Sequence, residues 1–510
     1  MLTFLILLPV ITALVILAIP GHYRFIIRCV ALLGTLETAI WAAVLFFRSV
    51  PGTPDYQFEQ LVPWISAGGL HVNYHVGIDG ISVGLVLAAA WVGFAATAVS
   101  WDVERESKMF YILLMLMISG SIGAFASLDL FFFYFFNEMA LVPTFIMIGV
   151  WGWGTDRQAA AFRITLYLTL GALVALVGLV ALYAATGTLD VTELQRQLAG
   201  HPLPRKTQML VFPCLLFGFG TLVGLWPFHS WAPQGYASAP AATAMMHAGI
   251  LKKAGLLALL RVAWPFLPDA VEYWMPVLAW LCLGNLLFCG FVALRQRDLN
   301  LLVGNSSLAH MGFAFLGLAS MNVIGLTGTV LVMVGHAFLA GLSFALTGWV
   351  RHQTGTVEML RLGGLLRTMP FVGSMMILCF LAGCGVPGFV NFAGELGVLF
   401  GAWKGTVYSL HGWVLAAAWG GLVIGGVYMM RAIRLVLHGE PKREWADVSD
   451  ATSGWRRLPF VALLAALVLF GVAPGILTRR IEPAVVAIIK MAGQRAQPAA
   501  PLGATAAMQR

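Results

Sequence analysis

Six side chains that titrate near neutral pH, or can be brought there, stand inside long apolar stretches of this sequence: Glu138, Lys252, Lys253, His310, His336 and Glu395. Glu138 follows Asn137 in the phenylalanine-rich segment Phe131 to Val150. The lysine pair lies in AATAMMHAGILKKAGLLALLR, with His247 about one and a half turns upstream. Glu395 sits in GCGVPGFVNFAGELGVLF, and the two histidines fall in the middle of their own apolar runs. A charge held in hydrocarbon costs about 2.5–3.5 kcal/mol on insertion scales, so each of these groups needs a reason to be there. Desolvation favours the neutral form of a carboxylate and of an ammonium alike, which lets both exchange protons. Imidazole already titrates in that range. Groups of this kind, coupled and joined by water, can pass protons across an apolar layer.

Each group also has a plainer use. Glu138 can tie two helices together by pairing with a lysine, and Glu395 can cap a half-helix beside a chain break. A single histidine within an apolar helix is commonly a hydrogen-bonded packing residue, which applies to His247 more than to His310 or His336. Lys253 is too far from either end of its stretch to reach water by snorkelling. Lys252 projects about 100° away from Lys253 and suits a structural contact better. Glu37, early in the chain and outside any motif, reads as peripheral.

The elements that carry these residues follow from composition. The chain has 510 residues, of which 60% are hydrophobic and 10% charged, against about a quarter charged in soluble domains. Apolar stretches of about 20 residues match a bilayer's hydrocarbon thickness and give an all-α polytopic membrane protein with about fourteen spans. The first, Leu2 to Pro20, lacks a basic n-region and a small-residue cleavage site, so it reads as a retained helix. The twelfth, residues 369–403, is too long for one straight crossing and contains Gly385, Pro387 and Gly388. The seventh, residues 208–226, runs into Pro227, His229 and Pro233. Both read as broken helices, and a pair of breaks in two halves of a chain points to a transport site.

The six cysteines form no C-x-x-C pair, which leaves a disulfide framework, a metal centre and an iron–sulfur cluster without support. The +8 net charge is scattered over short loops, so it indicates membrane topology rather than nucleic-acid binding. Most basic residues fall in the loops after odd-numbered spans, which predicts both termini outside the cytoplasm. The tail from Ala492 to Arg510, rich in Ala, Pro and Gln, is expected to be disordered.

Several segments together resemble a known family. They are YHVGIDGISVGLVL (Tyr74 to Leu87), FFFYFFNEMALVPTFIMIGVWG (Phe131 to Gly152), PFHSWAP (Pro227 to Pro233), NSSLAHMGFAFLGL (Asn305 to Leu318) and VPGFVNFAGELGVLFG (Val386 to Gly401). The chain resembles the antiporter-like, proton-translocating membrane subunits of respiratory complex I, the NADH-quinone oxidoreductase, in the branch called subunit M or subunit 4. The resemblance implies two inverted five-helix repeats with helices 7 and 12 broken. The corresponding division is 1–107 for the first helices, 108–262 and 263–435 for the repeats, and 436–510 for the last helix and tail. It also implies a relay of Glu138, Lys253, His310, His336 and Glu395, with Lys252 a further candidate. No cofactor is expected on this chain. NADH, FMN, iron–sulfur clusters and quinone would be held by partner subunits in the same bacterial plasma membrane.

The sequence departs from the family pattern at one place in that relay. Family members carry a lysine before the PFH motif that pairs with the helix-five glutamate, and here Leu222, Val223 and Gly224 occupy the region. Gln234, Gly235 and Tyr236 stand where an Asp-Ala-His run is common. Either Lys252 or Arg163 then partners Glu138, or the first half-channel is altered. Two other functions remain open: a subunit of a cation/proton antiporter, hydrogenase or inorganic-carbon uptake complex, and a non-conducting structural paralogue.

Overall fold

The computed structural model of the chain describes residues 1–67, 70–199, 201–405 and 408–493. An apolar helix α1 (Leu2–Ala18) is followed by α2 (Arg24–Arg48), a hairpin of β1 (Gln57–Ala67) and β2 (Leu70–Ile78), then α3 (Ser82–Val99), α4 (Ser107–Ala126), α5 (Leu130–Trp151) and α6 (Arg157–Thr186). A short α7 (Val191–Leu198) leads to α8 (Arg205–Val223), the half-helix α9 (Trp231–Ser238), α10 (Ala241–Phe266), α11 (Pro268–Arg295), α12 (Leu299–Ala319) and α13 (Val323–Thr354). The chain closes with α14 (Pro370–Gly383), α15 (Val390–Trp403), α16 (His411–Leu437), α17 (Gly454–Val472) and α18 (Gly475–Gly493). Twelve of these helices are long and apolar enough to cross a bilayer, and the protein is a multi-pass membrane protein.

In a membrane, apolar side chains suit both core and rim, so close backbone approach decides which helices are central. α10 is wholly enclosed, while only about a third of α6 and α17 is buried. α13 packs against α15 through small residues. A Cβ on Gly328 would stand 2.6 Å from the backbone nitrogen of Val398, so only glycine permits the approach.

Both expected helix breaks are present. α8 ends at Gly224, whose φ of +89° is a left-handed conformation that favours glycine. α14 and α15 are separated by residues 384–389, where Gly385 has φ +70° and a Cβ would lie 2.7 Å from Glu395 Oε2. The second break is therefore packed directly onto an intramembrane carboxylate.

The structure departs from the sequence reading at three places. The β-hairpin interrupts the all-α pattern between α2 and α3. A separate helix, α18, follows the last long apolar helix, because Pro474 cannot continue α17. α18 also includes Ala492 and Gly493, so the expected disordered tail begins inside a helix, and residues 494–510 lie outside the described residues.

The hairpin is latched to the bundle by charge. His75 on β2 is fully buried, with Nδ1 2.5 Å from Asp190 Oδ2 and Nε2 2.7 Å from Glu59 Oε1. Asp190 also caps α7, accepting from the N–H groups of Thr192 and Glu193. Burial opposes charge on His75, but the carboxylates of Asp190 and Glu59 outweigh it and raise its pKa above the usual 6.5. Burial would also raise Asp190, yet the bonds from His75, Thr192 and Glu193 outweigh it and hold its pKa below the usual 3.8. A raised imidazole contributes its stability in full below its usual value and loses it as pH rises through the raised one. A lowered carboxylate contributes above its usual value and loses it as pH falls. The latch should be tightest between these two usual values. Amide protection factors in Gln57–Ile78, measured by hydrogen exchange, are expected to fall several-fold as pH rises through the raised imidazole pKa. Constant protection across that range would refute the latch.

Candidate functional site

α10 is where the chain's central charges are set. It begins after Pro240, which ends the preceding segment and fits a helix start. Two wide π turns interrupt it, His247–Leu251 and Leu259–Ala263. Such turns rotate the residues that follow and are frequent at functional sites. Directly after the first come Lys252 and Lys253, both without solvent exposure, and they point to different neighbours. Lys252 Nζ donates to Ser307 Oγ of α12 at 2.5 Å and lies 5.7 Å from the centre of the Tyr236 ring. Lys253 Nζ donates to the carbonyl of Ala248, and sits 2.7 Å from His336 Nδ1 on α13.

From His336 the groups continue. The rings of His336 and His310 have centroids 5.5 Å apart, a separation that one ring reorientation or one bridging water spans. His310 Nδ1, on α12, lies 2.9 Å from Glu395 Oε1 on α15. Its other nitrogen, Nε2, is buried without a hydrogen-bond partner among the described residues. Lys253, His336, His310 and Glu395 thus form one chain of contacts across four helices. Lys252 stands beside this chain rather than in it. Its Nζ ties α10 to α12 one turn from His310.

Glu138 is placed elsewhere. On α5 it shares the outward stripe of Phe131, Phe135 and Val142, which are exposed on the side of the chain. Its Oε1 is buried and has no partner among the described residues. A cavity of about 70 Å³ beside it is lined by Thr144, Thr165 and Thr169. Neither proposed substitute for the missing lysine reaches it: Lys252 donates to Ser307, and Arg163 donates to Gln234 Oε1. Leu222 is buried on α8.

One residue of this region was not singled out in the sequence. Asn391 is fully buried on α15, one turn before Glu395, and both ends of its amide lack partners among the described residues. Its Oδ1 faces Gly335, the neighbour of His336. The signal was available, since Asn391 and Glu395 share a helix face at i and i+4. Among the described residues, no three His, Cys, Asp or Glu side chains converge where a metal could bind.

Comparisons with known proteins show the family and the fold. Residues 127–420 match the model of the NADH:quinone oxidoreductase/Mrp antiporter transmembrane family. The chain belongs to that family. It is 32% identical over 473 residues to NADH-quinone oxidoreductase subunit M of Rhodobacter capsulatus, covering 91% of this chain and 90% of that one. It is also 32% identical to NAD(P)H-quinone oxidoreductase chain 4 2 of Thermosynechococcus vestitus, over 96% of this chain and 92% of the relative. Among solved structures, a chain of respiratory complex I from Thermus thermophilus superposes with a TM-score of 0.86 at 27% identity, covering 97% of this chain and all of that one. A chain of an archaeal membrane-bound sulfane sulfur reductase shares the fold, with a TM-score of 0.80 at 22% identity.

Proposed function

We propose that this chain is the proton-translocating membrane subunit of a complex I-like NADH-quinone oxidoreductase, and that protons cross it along Lys253, His336, His310 and Glu395. The observation that supports this reading most is the row of titratable groups at mid-membrane, 2.7 Å from Lys253 to His336 and 2.9 Å from His310 to Glu395, with the two imidazole rings 5.5 Å apart between them. Apolar residues would fill so enclosed a space at lower cost, and a row of four titratable groups is what proton transfer requires.

In this reading Lys253 holds a proton against the carbonyl of Ala248 and passes it to His336 when its surroundings no longer favour the charged form. His336 and His310 carry it across the bundle centre, and Glu395 releases it through the half-helix α15, where Asn391 can orient water. Oxidation of NADH and reduction of quinone, which the names of the relatives give for those proteins, would belong to partner subunits, together with the flavin and iron–sulfur clusters that the family resemblance implies. The chain would lie in the bacterial plasma membrane with both termini outside the cytoplasm, as its basic loops suggest.

Glu138 is outside this path, and its lack of a partner is the observation that favours a second reading, a scaffold that no longer conducts. Glu395→Gln separates the two. Glutamine keeps a hydrogen bond to His310 but cannot release a proton, so the assembled complex in proteoliposomes should form a smaller pH gradient per NADH oxidised. A gradient equal to the parent's would favour the scaffold.

A further inference from the structure

A cavity of about 550 Å³ opens on the face opposite the hairpin, where the ends of α3, α5 and α13 meet the start of α10. Its rim carries charge of both signs: Asp102, Glu104, Arg105, Arg157 and Arg351. Narrowing inward, it is lined by Asn300 of α12, Phe344 of α13 and Tyr236 of α9. Asn300 is buried, and its Oδ1 has no partner among the described residues.

Tyr236 closes the floor. It is 1% exposed and packed by Trp231 and Phe344, and its hydroxyl lies 3.2 Å from His247 Nδ1. The far nitrogen of that imidazole, Nε2, is buried and has no partner among the described residues. His247 opens the first wide turn of α10, and the next residue, Ala248, supplies the carbonyl that Lys253 holds. The Tyr236 ring also faces the Lys252 ammonium. One tyrosine therefore separates a cavity with a charged rim from the lysine pair, and Glu138 lines no part of that cavity.

We propose that this cavity is the vestibule through which protons reach the relay, and that the Tyr236 hydroxyl is the group that hands them to His247. The inference rests on the relay reading above. The transfer balances at the tyrosine. Its O–H proton passes to His247 Nδ1 while the oxygen takes a proton from a hydronium in the vestibule, leaving a neutral phenol and a water. His247 then carries a proton on both nitrogens and gives up the one on Nε2 towards the lysines, which leaves it neutral with its proton on Nδ1, and a turn of the ring resets it for the next transfer. The phenol never needs to become a phenolate, which would be costly in so enclosed a place. The two broken helices take complementary parts: the half-helix after the first break bears Tyr236, and the half-helix after the second bears Glu395.

Tyr236→Phe removes the hydroxyl and keeps the ring, and Tyr236→His restores a group that can carry a proton. Proton yield per NADH oxidised is compared in the assembled complex in proteoliposomes, with Lys253→Ala alongside. The expected result is that Tyr236→Phe falls to the Lys253→Ala level and Tyr236→His recovers part of the loss. A parent-like yield for Tyr236→Phe with a loss in Lys253→Ala would overturn the vestibule alone. Parent-like yields in both would overturn the relay itself. If Tyr236→Phe does not assemble, Ala241→Cys in the vestibule wall decides. A membrane-impermeant cationic thiol reagent added at that face should then lower the yield in the variant and not in the parent chain, and an unchanged yield would reject the proposal.

Discussion

Replacing Arg261 with methionine is expected to remove this chain from the assembled membrane complex. Arg261 lies near the end of α10 and is 5% exposed, with Nη2 2.9 Å from Oδ1 of Asp79, itself 7% exposed. Its Nη1 donates to the carbonyls of Phe125 and Ser127 at the end of α4. Asp79 in turn accepts from the N–H and hydroxyl of Ser82, the first residue of α3. A single ion pair thus joins α10, α3 and α4 beneath the hairpin. Removing one member of a buried pair leaves the other charge uncompensated and costs about 3–5 kcal/mol. That is a large share of the stability of a typical domain. The double variant Arg261→Met with Asp79→Asn leaves no such charge and should regain much of the assembly lost. Measuring chain incorporation on native gels separates the cases, and equal loss in the single and double variants would show that the charge balance is not the cause.

Replacing Lys253 with alanine carries the second large effect, and it falls on transport rather than assembly. The helix itself tolerates alanine well, and Lys252 keeps α10 tied to Ser307. What disappears is the donor to His336 Nδ1 and to the carbonyl of Ala248. Without it the vestibule side of the relay has no group facing the histidines, so proton yield should drop sharply while the amount of assembled complex stays near the parent level. Lys252→Ala is the control. It should weaken packing between α10 and α12 more than it weakens transport, and a reversal of that order would exchange the roles assigned to the two lysines.

The broken helices and the intramembrane charges were legible because each violates the composition around it. A carboxylate or lysine in a run of leucines is conspicuous, and so are Gly385, Pro387 and Gly388 in a stretch too long to cross once. What could not be read was which charges meet. Asp79 was visible in GIDGIS, but its partner Arg261 lies 182 residues away and looked like a loop residue, because hydropathy places a span's edge only approximately. Glu138 was as conspicuous as Glu395, yet helix rotation sends one outward and the other onto His310, and rotation is set by packing. The hairpin escaped notice because its strands mix polar with apolar residues and lie between two strong apolar spans. Asn391 was passed over as an uncharged residue, although burial without partners makes an amide as informative as a charge.

The most direct test sets Lys253→Ala beside Glu138→Gln in the same reconstituted complex and measures protons moved per NADH oxidised. A path through Lys253, His336, His310 and Glu395 predicts a marked loss for Lys253→Ala and the parent yield for Glu138→Gln. The opposite order, with Lys253→Ala at the parent yield and Glu138→Gln impaired, would contradict it.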